Sequence, residues 1–170
     1  VSKSDLRLAA YGDVDEFNSI LGLLISTFGP KVEVETHQLL RDLQIELFNA
    51  GSLLACPVSD RAKFKLPPLD AKMEKRLESE IDRLTRCLPQ LKNFILPGGT
   101  SSASTSHLAR TVCRRVERAL VNLSEREEDA DIGSLIILFN RLSDYLFTLA
   151  RWLNHSEAVA DIPWRGKTTS

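Results

Sequence analysis

Leu135-Ile136-Ile137-Leu138-Phe139-Asn140-Arg141-Leu142-Ser143-Asp144-Tyr145-Leu146-Phe147-Thr148-Leu149 decides the fold. Leu135, Leu138, Phe139, Leu142, Leu146 and Leu149 recur three or four residues apart, the repeat of one helix face, and Leu153 extends the stripe. A long core helix is therefore expected over about residues 132 to 154. Working back, Leu108, Val112, Val116, Leu120 and Leu123 mark a fourth helix, with Thr100, Ser101 and Ser102 as candidate caps after the turn Pro97-Gly98-Gly99. Met73, Leu77, Ile81, Leu84 and Leu88 mark a third, capped by Asp70 and ending at Pro89. Leu39, Leu40, Leu43, Leu47 and Leu54 mark a second, from Val34 to Ala55. The first is expected to start near Asp13, because Gly12 breaks the chain and Asp13 with Glu16 makes a capping box; Val14, Phe17, Ile20, Leu21, Leu24 and Ile25 form its stripe. Residues Pro57 to Pro68 read as a surface connection, and Glu125 to Asp131 as an acidic, solvated loop. Five helical segments with short links predict an all-α, antiparallel five-helix bundle in one domain.

Composition agrees with that class. The chain has 170 residues, with seven Pro and eight Gly, few for a protein made of tight β-turns. Its 22 Lys and Arg face 23 Asp and Glu, a formal charge of -1, so no global field draws it to nucleic acid or an anionic membrane. Any anion site must be local. Cys56, Cys87 and Cys113 form no CxxC pair and are odd in number, which points to a reducing compartment and to cysteines packed as small hydrophobes. No run reaches the roughly 18 consecutive apolar residues of a membrane span, and the first residues are too polar for a secretory signal.

Chemistry gathers in the fourth and fifth segments. Arg110, Arg114 and Arg118 are spaced by four, so a helix stacks them on one face, with Arg115 beside them. Such a row repels itself unless an anion neutralises it, and guanidinium forks suit carboxylate or phosphate oxygens. A polyphosphate site and a solvated face with carboxylate partners both satisfy this pattern. Glu117, three residues after Arg114, either orients guanidiniums or helps hold a metal ion through water. Asn140, if it faces inward, needs hydrogen-bond partners, which a ligand or an interhelical polar network supplies. Asp13, Asp15 and Glu16 suit a helix start, and a carboxylate among them is also a possible partner for an arginine of the row, within one chain or across a subunit boundary. His107 leads Arg110 by three. No Gly-x-Ser-x-Gly elbow, HExxH pair or complete phosphate-binding loop is present.

These residues carry a resemblance. Val1-Ser2-Lys3, Tyr11 to Ser19, Phe94-Ile95-Leu96-Pro97-Gly98-Gly99, His107 to Arg118 and Asn140 to Phe147 resemble, in order and over nearly the whole chain, the PduO-type ATP:cob(I)alamin adenosyltransferases. The resemblance implies a homotrimer of five-helix bundles with ATP between subunits, Mg²⁺ sharing its charge and the corrinoid above it. It implies transfer of the 5′-deoxyadenosyl group of ATP to Co(I) of cobalamin, giving adenosylcobalamin and tripolyphosphate. Arg110, Arg114 and Arg118 match the family's ATP-facing arginines, Asn140 its nucleotide-contacting asparagine, and Asp15 the acidic residue that pairs with Arg110 across the interface. Arg115 and Glu117 fall in the same block. Lys3 corresponds to a phosphate-contacting lysine. Phe94 corresponds to the aromatic that occupies the space of the corrinoid's lower axial ligand, and Phe147 is a second wall; read without the family, Phe94 is a core hydrophobe before a turn.

A reductase and an adenosylcobalamin-dependent enzyme are the partners implied, in the cytoplasm or, in a eukaryote, the mitochondrial matrix. The family's Thr/Gly/Lys-rich ATP-wrapping segment would lie before residue 1, outside the given sequence. If the protein truly lacks it, a corrinoid-binding or escort protein with little turnover becomes the alternative. A helical scaffold whose arginines serve intersubunit salt bridges is the third reading.

Overall fold

The computed structural model describes residues 3–166, with side chains from Asp5 onward. Five α-helices form: α1 (Lys3–Ser26), α2 (Val34–Ala55), α3 (Met73–Arg86), α4 (Ser101–Ser124) and α5 (Ala130–Ser156), with a 3₁₀ turn at Val58–Lys63. α4 packs on α5 and on α1, α1 on α2, and α5 on α3. The links between α1 and α2 and between α4 and α5 are short, so each pair runs antiparallel, as the periodicities predict. One core joins the helices, with Phe17 of α1 against Phe139 of α5 at 5.7 Å between ring centroids. Each leucine removed from water there contributes about 1.5–3 kcal/mol. α5 is long and apolar enough, by length and composition, to cross a membrane. Its apolar stripe, from Ile132 through Leu153, is instead the buried seam of this bundle.

Three boundaries differ from expectation. α1 begins at Lys3, so Gly12 and Asp13 lie inside it and neither breaks nor caps the helix. Leu6, Ala10 and Val14 extend the apolar stripe upstream at a spacing of four, and this packing outweighs a helical glycine's cost of about 1 kcal/mol. α3 begins at Met73, with Lys72 as its cap, and stops at Arg86 before Pro89. Asp70 instead accepts from the Lys72 amide at 2.9 Å, in the turn that precedes the helix. α4 is capped as predicted, by Thr100, whose hydroxyl accepts from the Ala103 amide at 3.1 Å. Among the cysteines, Cys56 and Cys113 are buried as expected but Cys87 is exposed.

The acidic connector is no solvated loop. Asp129 is almost fully buried and accepts from Arg7 at 2.9 Å and Arg61 at 2.6 Å, while Glu127 takes the same Arg7 at 2.6 Å. Arg7 also donates to the carbonyls of Leu53, Leu54 and Cys56, so the C-terminal end of α2 meets the positive charge that its exposed carbonyls favour. Asp129 further accepts from the Asp131 amide at 3.1 Å and caps α5. Burial alone would raise the Asp129 carboxyl; the hydrogen bonds from Arg61 and Arg7 outweigh it and hold the group below the usual carboxylate range.

The entry to α4 is pinned from α5. Buried Asn154 accepts from the Thr100 amide at 2.9 Å and donates to the Gly98 carbonyl at 2.9 Å. Gly99 passes beneath it at φ +109, and a methyl group on Gly99 would overlap the Asn154 amide.

Two outcomes follow for stability. Asp129→Asn should destabilise the fold by about 3 kcal/mol in urea titration, because removing one partner strands buried guanidinium charge. The wild-type contribution exists above the unfolded carboxyl pKa of about 3.9 and is lost as pH falls through the lower folded value, so the variant should lose less stability on acidification. A loss under about 1 kcal/mol at neutral pH would contradict a stabilising role for the cluster. Gly99→Ala should cost about 1–3 kcal/mol by the same titration, from backbone strain and the displaced Asn154 amide.

Candidate functional site

The α4 register places the arginines as their spacing predicts, but their surroundings differ. Arg114 and Arg118 are exposed and, with Glu117, Val121, Asn122 and Glu125, line an open cleft of about 250 Å³. Arg110, one turn nearer the start of the helix, is half-buried, and its Nε has no hydrogen-bond partner among the described residues. Burial, and then the neighbouring charge of Arg114, weakens its hold on its proton. An anion placed here would relieve both the desolvation and the repulsion. Arg115 leaves the row: it pairs with Asp13 of α1 at 3.1 Å and with Glu16, which ties α4 to α1. That is the pairing between the arginine segment and the acidic turn of α1 within one chain.

Glu117 and Asn140 meet between α4 and α5. Asn140 donates its amide to Glu117 at 3.0 Å and accepts from Arg141 at 2.8 Å, and Arg141 reaches Asp144 at 3.1 Å. Arg114 stands 4.0 Å from the other Glu117 oxygen. Asn140 therefore has protein partners, and Glu117 orients it while facing the guanidiniums. Asp15 is exposed on α1 and, among the described residues, makes no ion pair with Arg110. It lines a small groove of about 170 Å³ with Tyr11, Asn18 and Phe48. The Lys3 side chain lies outside the described residues.

His107 is almost fully buried, and neither of its ring nitrogens has a partner among the described residues. Burial and then the Arg110 charge lower its pKa, against a smaller opposing pull from Asp161, so the ring is neutral near pH 7. It packs against half-buried Phe147 at 6.1 Å between centroids. Three of the six buried side-chain polar atoms without partners among the described residues belong to His107 and Arg110, one turn apart on α4. Unpaired buried polar atoms are rare because each costs about 1–3 kcal/mol, so their concentration here marks a place where a partner is missing.

Phe94 is no core residue. It is 80% exposed, at the end of the connection that leads into α4. Four residues that no motif marks complete this end of the site: Arg151, Asn154, Asp161 and Trp164. The chain after α5 returns alongside Phe94, with the Leu96 amide donating to the Ile162 carbonyl at 2.8 Å and the Trp164 amide to the Phe94 carbonyl at 2.7 Å. Asp161 anchors this return by accepting from Arg151, which also donates to the Pro89 carbonyl. Such a contact, between segments some seventy residues apart, leaves no periodic trace in the sequence.

Among the described residues no three His, Cys, Asp or Glu side chains converge on a common point. Glu117 and Glu125, beside an arginine-lined cleft, suit a divalent ion carried mainly by phosphate oxygens, the usual manner for Mg²⁺.

Known proteins are similar to this chain in sequence and fold. The cobalamin adenosyltransferase family model matches residues 1–153. A corrinoid adenosyltransferase of Bacillus subtilis is 40% identical over 164 residues, covering 95% of this chain and 81% of that protein. A cobalamin adenosyltransferase of Cupriavidus metallidurans is 38% identical over 170 residues, covering 100% and 86%. A solved PduO-type ATP:corrinoid adenosyltransferase of Lactobacillus reuteri, a phenylalanine-to-alanine variant complexed with cobalamin and ATP, is 39% identical and superposes with a TM-score of 0.86, covering 98% of this chain and 90% of that one. An arginine-to-lysine variant from the same organism, complexed with ATP, is 38% identical with a TM-score of 0.85, covering 97% and 90%. With helices, arginine row and exposed phenylalanine in this order, the chain belongs to the cobalamin adenosyltransferase family, of the PduO type.

Proposed function

We propose that the protein transfers the 5′-deoxyadenosyl group of ATP to Co(I) of cobalamin, releasing tripolyphosphate. The observation that carries this reading is the α4 row, in which a partly desolvated Arg110 with an unpaired Nε continues into the open Arg114 and Arg118 cleft. The Co(I) electron pair attacks the 5′ carbon, the bond from that carbon to the triphosphate oxygen breaks, and its electrons leave with tripolyphosphate. Cobalt is the nucleophile, so no side chain has to become one, which agrees with the missing nucleophile motifs. The protein's task is to hold carbon in line with cobalt and to stabilise charge on the leaving group.

Arg110, Arg114 and Arg118 serve the phosphates, and Asn140, oriented by Glu117, serves the nucleotide. Mg²⁺ bound to the phosphates beside Glu117 would share their charge. Lys3, whose side chain lies outside the described residues, corresponds by the resemblance alone to a phosphate-contacting lysine. Arg115, matched to the same family block, acts through its anchor to Asp13 and Glu16. Phe94 occupies the lower axial position of the corrinoid with Phe147 as a second wall; removing a donor ligand lowers the orbital that the electron enters when Co(II) becomes Co(I).

Three copies assemble as a homotrimer, each chain acting as one adenosyltransferase domain. Asp15 of one subunit pairs with Arg110 of the next, whose Nε has no partner among the described residues of its own chain. A reductase delivers the electron and an adenosylcobalamin-dependent enzyme takes the product, in a reducing compartment such as the cytoplasm that also suits the three free cysteines.

An anaerobic assay of the full-length protein with Mg-ATP and reduced cobalamin tests the activity. A light-sensitive cobalt–carbon product is expected; binding without product would leave an escort protein. Arg114→Ala and Arg118→Ala should each weaken ATP binding roughly tenfold to a hundredfold by calorimetry, the loss of charge-assisted hydrogen bonds. If they alter only thermal stability, the arginines serve as salt-bridge partners. Asp15→Ala should shift sedimentation toward smaller species as the protein is diluted.

A further inference from the structure

The return segment after α5 touches the site at one place, and its chemistry there is apolar. Leu91, Phe94 and Trp164 line one open cleft, together with Lys92 and Asn93. Trp164 is 56% exposed and Phe94 80%, so neither ring is held by the core. What holds them is each other and the backbone beneath. The rings meet edge to face, with centroids 6.5 Å apart and planes at 74°. Below them, an isolated bridge between Ile95 and Pro163 aligns the two segments through the Leu96 and Trp164 amide bonds. The bridge is anchored at Asp161, which accepts from Arg151 at 3.1 Å and from Asn154 at 3.4 Å. Asn154 is also the residue that pins the Gly98–Thr100 turn.

An exposed phenylalanine on a loop is a poor wedge. Its ring samples several rotamers, and fixing one of them on a ligand costs entropy that the ligand must supply. A second aromatic ring fixed beside it lowers that cost in advance, the usual gain from preorganisation. The proposed Phe94 role needs such preorganisation, since a ring that swings aside readmits base or water to the lower face of cobalt.

We propose that Trp164 is a positioning residue for Phe94: delivered by the Asp161-anchored return segment, its indole holds the phenyl ring in the orientation that excludes a lower axial ligand from Co(II). The proposal rests on the adenosyltransferase reading and adds to it a residue beyond those the family model matches, which end at residue 153.

The test uses the full-length protein with Mg-ATP and cob(II)alamin, comparing wild type with Trp164→Ala, Trp164→Phe and Phe94→Ala. Electron paramagnetic resonance reads the share of Co(II) that has lost its axial base, through the nitrogen superhyperfine splitting. Trp164→Ala should lower that share roughly fivefold, the size of an aromatic pair's contribution, and Trp164→Phe should restore most of it. ATP affinity by calorimetry should stay within about twofold, since the guanidinium cleft lies on α4 and shares no lining residue with the Phe94 and Trp164 cleft. The double variant Phe94→Ala with Trp164→Ala should be no worse than Phe94→Ala alone. If Trp164→Ala keeps the base-off signal while Phe94→Ala loses it, the brace is wrong and the wedge stands. If Phe94→Ala keeps it, the wedge falls and the brace with it. A parallel loss of ATP affinity in Trp164→Ala would overturn a specific role in favour of general damage.

Discussion

Everything at the site depends on how α4 begins. The last turn of α5 carries Asn154, whose one amide group accepts from the Thr100 amide and donates to the Gly98 carbonyl. That amide sets where the first turn of α4 lies, and a helix is stiff enough to carry the setting along its length. Arg110, Arg114 and Arg118 inherit their positions from it through the 3.6-residue repeat, and Phe94 inherits its own through the connection on the other side of Gly99. A glycine is required at residue 99 because at φ +109 the chain runs under a side chain that leaves no room for a methyl group. The arginine row and the Phe94 connection are thus two arms of one joint.

Charge is handled in two opposite ways in this fold. Around Arg7 it is buried and fully matched: Arg7 and Arg61 share Asp129, and the remaining donors find carboxylates or helix-terminal carbonyls. A cluster of that kind holds α1, α2 and α5 in register. Along the row of Arg110, Arg114 and Arg118 the charge is left less matched among the described residues. Arg110 has a buried Nε without a partner, and Arg114 meets its carboxylate only at 4.0 Å. The two groups of arginines therefore differ in bonding capacity left unmet among the described residues, and the residue type is the same in both.

Legibility follows the same division. The bundle is readable from the sequence because core residues must return to one helix face, and α2, α4 and α5 lie close to where the leucine stripes put them. The arginine row is readable because its spacing is local. The start of α1 is not: Ala10 is too small to signal burial, and Gly12 looks like a break although the packing of Leu6 and Val14 carries the helix through it. The Glu127 and Asp129 side chains look like a solvated loop because their partners, Arg7 and Arg61, lie 120 and 68 residues away. Trp164 and Asp161 are silent for the same reason, since a bridge between Ile95 and Pro163 has no period. The Phe94 exposure departs from the usual burial of phenylalanine, and only the family resemblance anticipates it.

That departure also gives a physical reason for the aromatic pair. A large apolar side chain left in water is costly, and the cost is tolerable when another apolar surface covers part of it. Trp164 covers one side of Phe94 and leaves the rest open. Complete burial would hide the ring from any ligand, and complete exposure would leave it free to rotate. Partial cover by a neighbour that is itself anchored to Arg151 and Asn154 through Asp161 satisfies both demands. The helix that pins the start of α4 thereby also steadies the Phe94 and Trp164 pair, so the arginine row and the exposed aromatic face draw on a single rigid element, α5.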